Sequence, residues 1–253
     1  MAAMLDDLIA QVIALEIRLH VCTERLVART DDEALHDLRV ATRRLRSLLR
    51  PLRGLAAVDV LEQAAADLAR LSSPLRDLEV LIAELRSHRL ERLVPARERA
   101  LRSGYAQFLL APELTHLLQV LEAWPHLMRV CEREGLLTGL RQKIEKFLGK
   151  RRRQLVQALR SPDHDRHRLR LLIKRLRYGL DAYPDLADLS PRTRQLLVGA
   201  QTALGNWHDH FQWLARAENE ADLRPRVRAW QVAMHAAEVR SDRVLEKLLR
   251  RLG

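Results

Sequence analysis

Aromatic residues are scarce in this chain, and their scarcity argues against several classes of binding protein. They make up 4% of the 253 residues. Sequence-specific readers of single-stranded RNA stack bases on exposed aromatic side chains, so the composition disfavours that class. β-Branched residues are also few, whereas Leu, Ala, Arg and Glu dominate, which favours helix throughout. The sequence therefore predicts an all-α protein.

Cysteine is scarce, and a signal peptide and long apolar runs are missing. Cys22 and Cys131 are too few for a disulfide framework, which favours a reducing compartment. The first residues, MAAMLDDLIA, carry acids where a signal peptide needs lysine or arginine. No apolar run approaches the roughly 20 residues that a membrane helix needs. We expect a soluble cytoplasmic protein.

Catalytic signatures are absent from the sequence. There is no Walker loop, GxSxG motif or dinucleotide fingerprint, and the nine glycines are scattered. A weak metal alternative rests on His164 with His167, beside Asp163, and on the run 208–210 (His-Asp-His). No HExxH or paired Cys motif supports it. We therefore expect a binding protein without catalytic residues, cofactor or metal.

Positive charge is concentrated in two segments. The net charge is +11, but residues 36–53 carry six Arg and one Asp (+5), and residues 135–183 carry 14 Lys or Arg and four acids (+10). The rest of the chain sums to 11 − 15 = −4. A polyanion is the partner that such a distribution indicates.

The two basic segments contain a repeat. Residues 36–47 read HDLRVATRRLRS and residues 167–178 read HRLRLLIKRLRY, at an offset of 167 − 36 = 131. Asp77 and Asp209 align at 209 − 77 = 132, each on a helix that follows the basic one. A repeat this long indicates a doubled domain. We predict two repeats, over about 1–125 and 126–253.

Each repeat places its cations on one face of a helix. The spacing i, i+3, i+7, i+10 defines one stripe, and an apolar stripe with leucines lies beside it. The cationic stripes are His36, Arg39, Arg43, Arg46 and Arg50, and His167, Arg170, Lys174 and Arg177. A third row precedes the second repeat on a predicted helix over about 138–160, and comprises Lys143, Lys146, Lys150 and Arg153. We expect this helix to lie beside the second basic helix, because the connection is short.

These cationic faces are more typical of a binding site for a phosphate polymer than of an ordinary solvated surface. Solvated faces interleave acids, since like charges at i, i+4 cost a few tenths of a kcal/mol. The arginine fork suits phosphate oxygens, and both nucleic acid and inorganic polyphosphate offer rows of them. No helix-turn-helix tip is present, which favours a ligand of phosphate alone. Nonspecific nucleic-acid binding and a polyphosphate-processing enzyme remain alternatives.

Proline and serine mark the predicted helix ends. Pro51 ends the first basic helix, Ser72 or Ser73 begins the fourth helix, and Ser190 with Pro191 begins a helix over about 191–218. Separate helices are predicted over about 113–123 and 126–134. Ser161-Pro162-Asp163 predicts the start of the second basic helix.

The two repeats resemble the paired signatures of the CHAD domain, the conserved histidine α-helical domain. The following stretches LRDLEVL and LGNWHDHFQWL resemble the family's second motif, with Leu204-Gly205 matching and Ser72-Ser73 departing from a common Leu-Gly pair. The resemblance implies two helical bundles related by a pseudo-twofold axis, with basic helices lining a shared groove or pore. It also implies binding of inorganic polyphosphate by matched residues. These are His36, Arg39, Arg43, Arg44, Arg46, His167, Arg170, Lys174, Arg175 and Arg177. Such binding could localise the protein to polyphosphate granules.

The two histidines that open the stripes, His36 and His167, predict a dependence on pH. Each precedes an arginine by three residues, which favours a role as phosphate donor. With an ordinary pKa near 6.5, their protonation would add positive charge in mild acid. We therefore expect tighter polyphosphate binding at pH 6 than at pH 8.

Overall fold

The structure consists of helices joined by turns and short connections. A computed structural model describes residues 2–161, 165–186 and 189–252, and this part contains no strand. The helices are α1 (Ala2–Ala28), α2 (Ala34–Leu49), α3 (Ala56–Leu71), α4 (Ser73–Ser87), α5 (Val94–Leu109), α6 (Pro112–Arg133), α7 (Leu140–Leu159), α8 (Arg166–Ala182), α9 (Pro191–Asn219) and α10 (Val227–Leu252). Short 3-10 segments follow α2, α4, α8 and α9. The predicted all-α class is confirmed, and none of the described helices is long and apolar enough to cross a membrane.

The chain divides into two compact units. The first unit spans Met1–Lys143 and the second spans Ile144–Gly253. α2, the first basic helix, belongs to the first unit, and α8, the second basic helix, belongs to the second. The division into sequence repeats over 1–125 and 126–253 stays a prediction.

The first unit is built on a ring of four helices. α1 packs on α2 and α6, and α3 packs on the same two helices. The apolar stripe of α2 faces this core, since Leu35, Leu38 and Leu45 are fully buried. Burial of these leucines holds the opposite, cationic side of α2 at the surface of the unit.

α6 contains a proline in its interior, which corrects the prediction of two separate helices. The helix runs without interruption from Pro112 to Arg133 and passes through Pro125. A proline there removes one backbone donor and destabilises the helix. Trp124 and Met128, on either side of it, are fully buried, and α6 packs on both α1 and α3. The burial of these side chains offsets the loss of the backbone hydrogen bond.

The second unit encloses its own core. Leu159 of α7, Ile173 of α8, Leu204 of α9 and Leu248 of α10 belong to one buried cluster. Arg152 of α7 donates a hydrogen bond to the carbonyl of Leu252 at 3.2 Å, which ties the two ends of the unit together.

Side-chain caps mark the beginnings of α8, the second basic helix, and of α9, which follows it. Ser190 Oγ accepts a hydrogen bond from the Thr193 amide, so the start predicted at Ser190-Pro191 is confirmed. α8 begins at Arg166, where Asp165 accepts from the Arg168 amide. The predicted cap residue Asp163 lies outside the described residues, as does His164.

The helix that follows the basic helix differs between the units. In the first unit it is interrupted, so that α3 ends at Leu71 and α4 begins at Ser73. In the second unit a single helix of 29 residues, α9, takes this place. Ser72, at the interruption, is fully buried, whereas the residue 132 positions later is the core residue Leu204.

Candidate functional site: two cationic clusters

Four basic side chains of the first unit influence one another electrostatically, and we call them the first cluster. Its members are His36, Arg39 and Arg43 of α2 and Arg76 of α4. Burial lowers the pKa of His36 below its ordinary value, and the charges of Arg76 and Arg43 lower it further. Burial also lowers the pKa of Arg39, with Asp77 acting in the opposite direction. Two helices thus bring four basic groups close together.

Arg39 is held by acceptors at the interruption between α3 and α4. Its guanidinium donates to Ser72 Oγ at 2.7 Å, to the Ala69 carbonyl at 3.1 Å and to Ser73 Oγ at 3.4 Å. The two serines are the residues that depart from the family's Leu-Gly pair. Protein atoms therefore occupy much of the hydrogen-bonding capacity of this arginine, and it links α2 to α4.

Further along α2, three arginines surround one buried carboxylate. Glu62 of α3, whose side chain is only 6% exposed, lies 3.1 Å from Arg46, 3.5 Å from Arg50 and 2.5 Å from Arg53. Burial alone would raise the pKa of Glu62, but Arg53 and Arg46 bring it below its ordinary value. Burial and the charge of Arg46 lower the pKa of Arg50 to about 10. The far end of the first cationic stripe is thus partly neutralised within the protein.

The second unit gathers a corresponding group, which we call the second cluster. It consists of His167, Arg170 and Lys174 of α8 and His208 of α9. The rings of His167 and His208 are 5.6 Å apart. Burial lowers the pKa of His208 to about 4, and the charges of Arg170, His167 and Lys174 contribute. His208 Nδ1 is buried without a hydrogen-bond partner among the described residues.

The fourth member of each cluster was missed by the sequence analysis. Arg76 and His208 occupy matching positions, since 208 − 76 = 132, and each directly precedes the aligned aspartate, Asp77 or Asp209. Both are basic, but their side chains differ, so identity between the repeats does not reveal them. The spacing to the aspartate was the signal that could have found them.

The remaining predicted residues of the two repeats lie at the surface or beside it. Arg44 and Arg175, which match at the offset of 131, are both exposed. Arg177 is 3.8 Å from Asp181 and lies over the Tyr178 ring at 4.5 Å. The carboxylate of Asp181 is more than half exposed, so solvent screens this ion pair.

The third basic row is divided by the boundary between the units. Lys143 belongs to the first unit, where its ammonium group donates to the carbonyls of Arg53 at 2.9 Å and Leu52 at 3.5 Å. It thereby satisfies backbone acceptors just beyond α2. Lys146, Lys150 and Arg153 are exposed on the part of α7 that belongs to the second unit. Their participation in phosphate binding stays a prediction.

The weak metal alternative gains no support from the described residues. Across 2–161, 165–186 and 189–252, no group of three or more His, Cys, Asp or Glu residues could hold a metal ion. His210 Nδ1 lies 2.6 Å from the Asn206 carbonyl, so this histidine serves its own helix. His164 and Asp163, the other half of that alternative, lie outside the described residues.

Comparisons with known proteins identify the family. A crystal structure of the CHAD domain from the plant Ricinus communis matches the fold with a TM-score of 0.71 and 24% sequence identity. The match covers 98% of this chain and 91% of the plant chain. A search of curated proteins gives no match. The family model of the CHAD domain matches residues 12–218, and this chain therefore belongs to the CHAD domain family.

Proposed function

We propose that this protein binds inorganic polyphosphate through the first and second clusters. The observation that carries the proposal is that each unit brings four basic side chains together from two helices at matching positions. Exposed Arg44 and Arg175 extend the positive charge on the same helices. Membership of the CHAD family supports this assignment, because the resemblance implies polyphosphate binding.

The chemistry of the clusters suits a chain of phosphoryl groups. Arginine donates two parallel hydrogen bonds to phosphate oxygens, whereas lysine acts as a mobile point charge. Histidine adds a neutral donor, or a cation when it is protonated. None of these contacts requires a base or a sugar, which makes a bare phosphate polymer a sufficient ligand.

We assign the larger share of the affinity to the second cluster. Ser72 and Ser73 already accept hydrogen bonds from Arg39, and Glu62 neutralises Arg46 and Arg50. In the second unit, Leu204 and Gly205 stand at the positions that match these serines. A β-carbon added at Gly205 would meet no atom within 4 Å, so there is room beside this position for a ligand oxygen. That both clusters line one shared groove stays a prediction from the family resemblance.

Two double variants, each of which removes two positive charges, test the proposal. The second-cluster variant is Arg170→Gln with Lys174→Gln, and its control is Arg243→Gln with Lys247→Gln, which removes two exposed cations of α10 in the same unit. Each hydrogen bond to a charged group contributes about 1.5–3 kcal/mol, so the loss of two lowers affinity by about 100-fold or more. The control should bind within about twofold of wild type.

The readout is titration calorimetry with long-chain polyphosphate, and circular dichroism checks that helicity is unchanged. Equal losses in the variant and in its control would show that binding follows total charge and would contradict a built site. Competition separates polyphosphate from nucleic acid: polyphosphate should displace labelled DNA or RNA of matched charge far better than the reverse.

Binding without catalysis has its own test. Incubation with polyphosphate and magnesium, followed by analysis of chain length, should return the polymer intact. Shortened chains would assign the protein to polyphosphate processing instead. We also propose that binding recruits the protein to polyphosphate granules, which imaging of the wild type beside the second-cluster variant would test.

A further inference from the structure

Two aromatic side chains stack on each other on α9, and we call them the aromatic pair. The rings of Trp207 and Phe211 are 5.6 Å apart with an interplanar angle of 24°. Phe211 is 47% exposed. Trp207 is partly exposed, in contrast to the buried tryptophans of the chain, and its Nε1 donates to Glu238 on α10 at 3.3 Å. A hydrogen bond to a neighbouring helix thus holds one ring in place while the other ring faces solvent.

The aromatic pair adjoins the second cluster. The Trp207 ring is 6.4 Å from the His208 ring, which in turn is 5.6 Å from the His167 ring. Arg170 and Lys174 act on the same His208. Aromatic surface and phosphate-binding groups therefore meet within one unit, on two helices that pack together.

The first unit has no such pair. At the offset of 132, Leu75 stands in the place of Trp207 and Glu79 in the place of Phe211. Glu79 accepts from Arg76 at 2.8 Å and also from Tyr105, so an ion pair replaces the exposed ring there. The first unit folds without aromatic rings at these positions. This argues against a purely structural need for the aromatic pair in the second unit.

We propose that the second unit binds a free nucleoside triphosphate, with its phosphates on the second cluster and its base on the aromatic pair. This inference rests on the proposed function, because it uses the same cations as phosphate ligands. Stacking of a base on an aromatic side chain contributes about 1–3 kcal/mol and accepts any base, since every base has a π-face. The pair thus selects for a ring attached to the phosphate chain rather than for a particular base.

Calorimetry with ATP and inorganic tripolyphosphate on the full chain tests the inference. The two ligands share three phosphoryl groups, and ATP carries no more charge, so electrostatics alone gives it no advantage. The stacking contribution predicts that ATP binds roughly 5- to 100-fold more tightly. Phe211→Ala should remove most of this advantage and leave tripolyphosphate binding unchanged.

Val198→Ala is the matched control, since Val198 is an apolar residue of the same helix that is 45% exposed. It should preserve the preference for ATP. The variant Arg170→Gln with Lys174→Gln should weaken both ligands, which places the phosphates on the second cluster. An unchanged ATP affinity in that variant would overturn the inference.

Two results separate this inference from the proposed function. Equal affinities for ATP and tripolyphosphate, unaffected by Phe211→Ala, would overturn the nucleotide site while leaving polyphosphate binding intact. Binding of ATP that depends on Phe211, without any binding of long inorganic polyphosphate, would support the nucleotide site and overturn the proposed function. A 5′-triphosphorylated oligonucleotide that binds more than tenfold tighter than ATP would overturn the assignment to a free nucleotide.

Discussion

The two basic helices, α2 and α8, have similar sequences, but their cations have different surroundings in the protein. On α2, Arg39 is bound by serines at a helix interruption, and Arg46 and Arg50 converge on the buried Glu62. On α8, the charges of Arg170 and Lys174 act on His208 of α9, and a β-carbon added at Gly205, about one turn before His208, would meet no atom within 4 Å. The comparison teaches that matching basic residues in two copies of a repeat can have different surroundings within the protein.

The largest effect that we expect concerns the buried carboxylate of the first unit. Glu62→Gln leaves three arginines around a neutral group, and breaking a buried ion pair costs about 3–5 kcal/mol. Asp181→Asn in the second unit removes an exposed partner of Arg177 and should change stability by less than about 1 kcal/mol. Urea unfolding of both variants measures the difference. Similar losses of stability in the two variants would contradict the difference that we infer between the cationic faces of α2 and α8.

The second prediction compares the clusters as ligand sites. Arg170→Gln with Lys174→Gln should weaken polyphosphate binding by about 100-fold, and Arg43→Gln with Arg76→Gln by about tenfold. We expect a smaller loss in the first unit because Arg76 already pairs with Glu79, and because serines hold Arg39. Exposed Arg92 and Arg99, changed together to Gln, provide the control for the first unit. A larger loss from the first cluster would reverse our ranking of the two sites.

The salt dependence of binding offers a finer measure of the same contrast. Each neutralised phosphate contributes about 0.7 to the log–log slope of affinity against salt, and eight contacts predict a slope of about −5 to −6. Lys174→Gln should reduce the magnitude of the slope by about 0.7, whereas Lys247→Gln should leave it unchanged. A wild-type slope near zero would rule out phosphate contacts as the source of affinity.

A reciprocal exchange should make each unit behave more like the other. Ser73→Gly removes one acceptor from Arg39, and Gly205→Ser introduces a hydroxyl at the matching position of the second unit, where a β-carbon meets no atom within 4 Å. A hydrogen bond to a charged group is worth about 1.5–3 kcal/mol, and the 3.4 Å separation of Arg39 from Ser73 places this one at the weak end, so we expect affinity changes of about tenfold in opposite directions. Calorimetry detects both, and changes of the same sign would show that the hydroxyl at this position does not control access to the arginine.

The smallest effect that we predict is the pH dependence of affinity between pH 8 and pH 6. Burial and the neighbouring cations lower the pKa of His208 to about 4, and a bound polyanion raises it towards its ordinary value near 6.5. Binding therefore takes up a proton, so affinity rises as the pH falls below about 6.5 and levels off near pH 4. Much of the increase in affinity is therefore expected below pH 6, whereas the sequence predicted it between pH 8 and pH 6. His208→Asn should flatten the profile, whereas His235→Asn, which removes a mostly exposed histidine, should not.

Periodicity made the two basic helices and their buried faces predictable. Leu38 and Leu45 of α2 and Ile173 and Leu176 of α8 lie in the cores as the helical spacing indicates. Local signals at Ser190 also placed the start of α9 correctly. These features depend on residues within a few turns of one another, which a single sequence reveals directly.

The partners of the cations could not be predicted, because they come from distant parts of the chain. Glu62 lies 16 residues beyond Arg46, on another helix, and nothing in its surroundings marks it as the acceptor for three arginines. Arg76 and His208 were missed since the repeats place different side chains there. The predicted break near Pro125 is wrong, because the packing of α6 outweighs the local cost of a proline.

The uneven burial of the four tryptophans gives the protein a built-in optical reporter. Trp124 of the first unit is fully buried, as is Trp230, and Trp213 is 8% exposed, whereas Trp207 reaches the surface beside the second cluster. Quenching of its emission by a small solute should therefore follow occupancy of the second unit alone. Ligand bound only to the first unit would not change this quenching. Fluorescence quenching and calorimetry together could therefore distinguish binding at the two units without an attached dye.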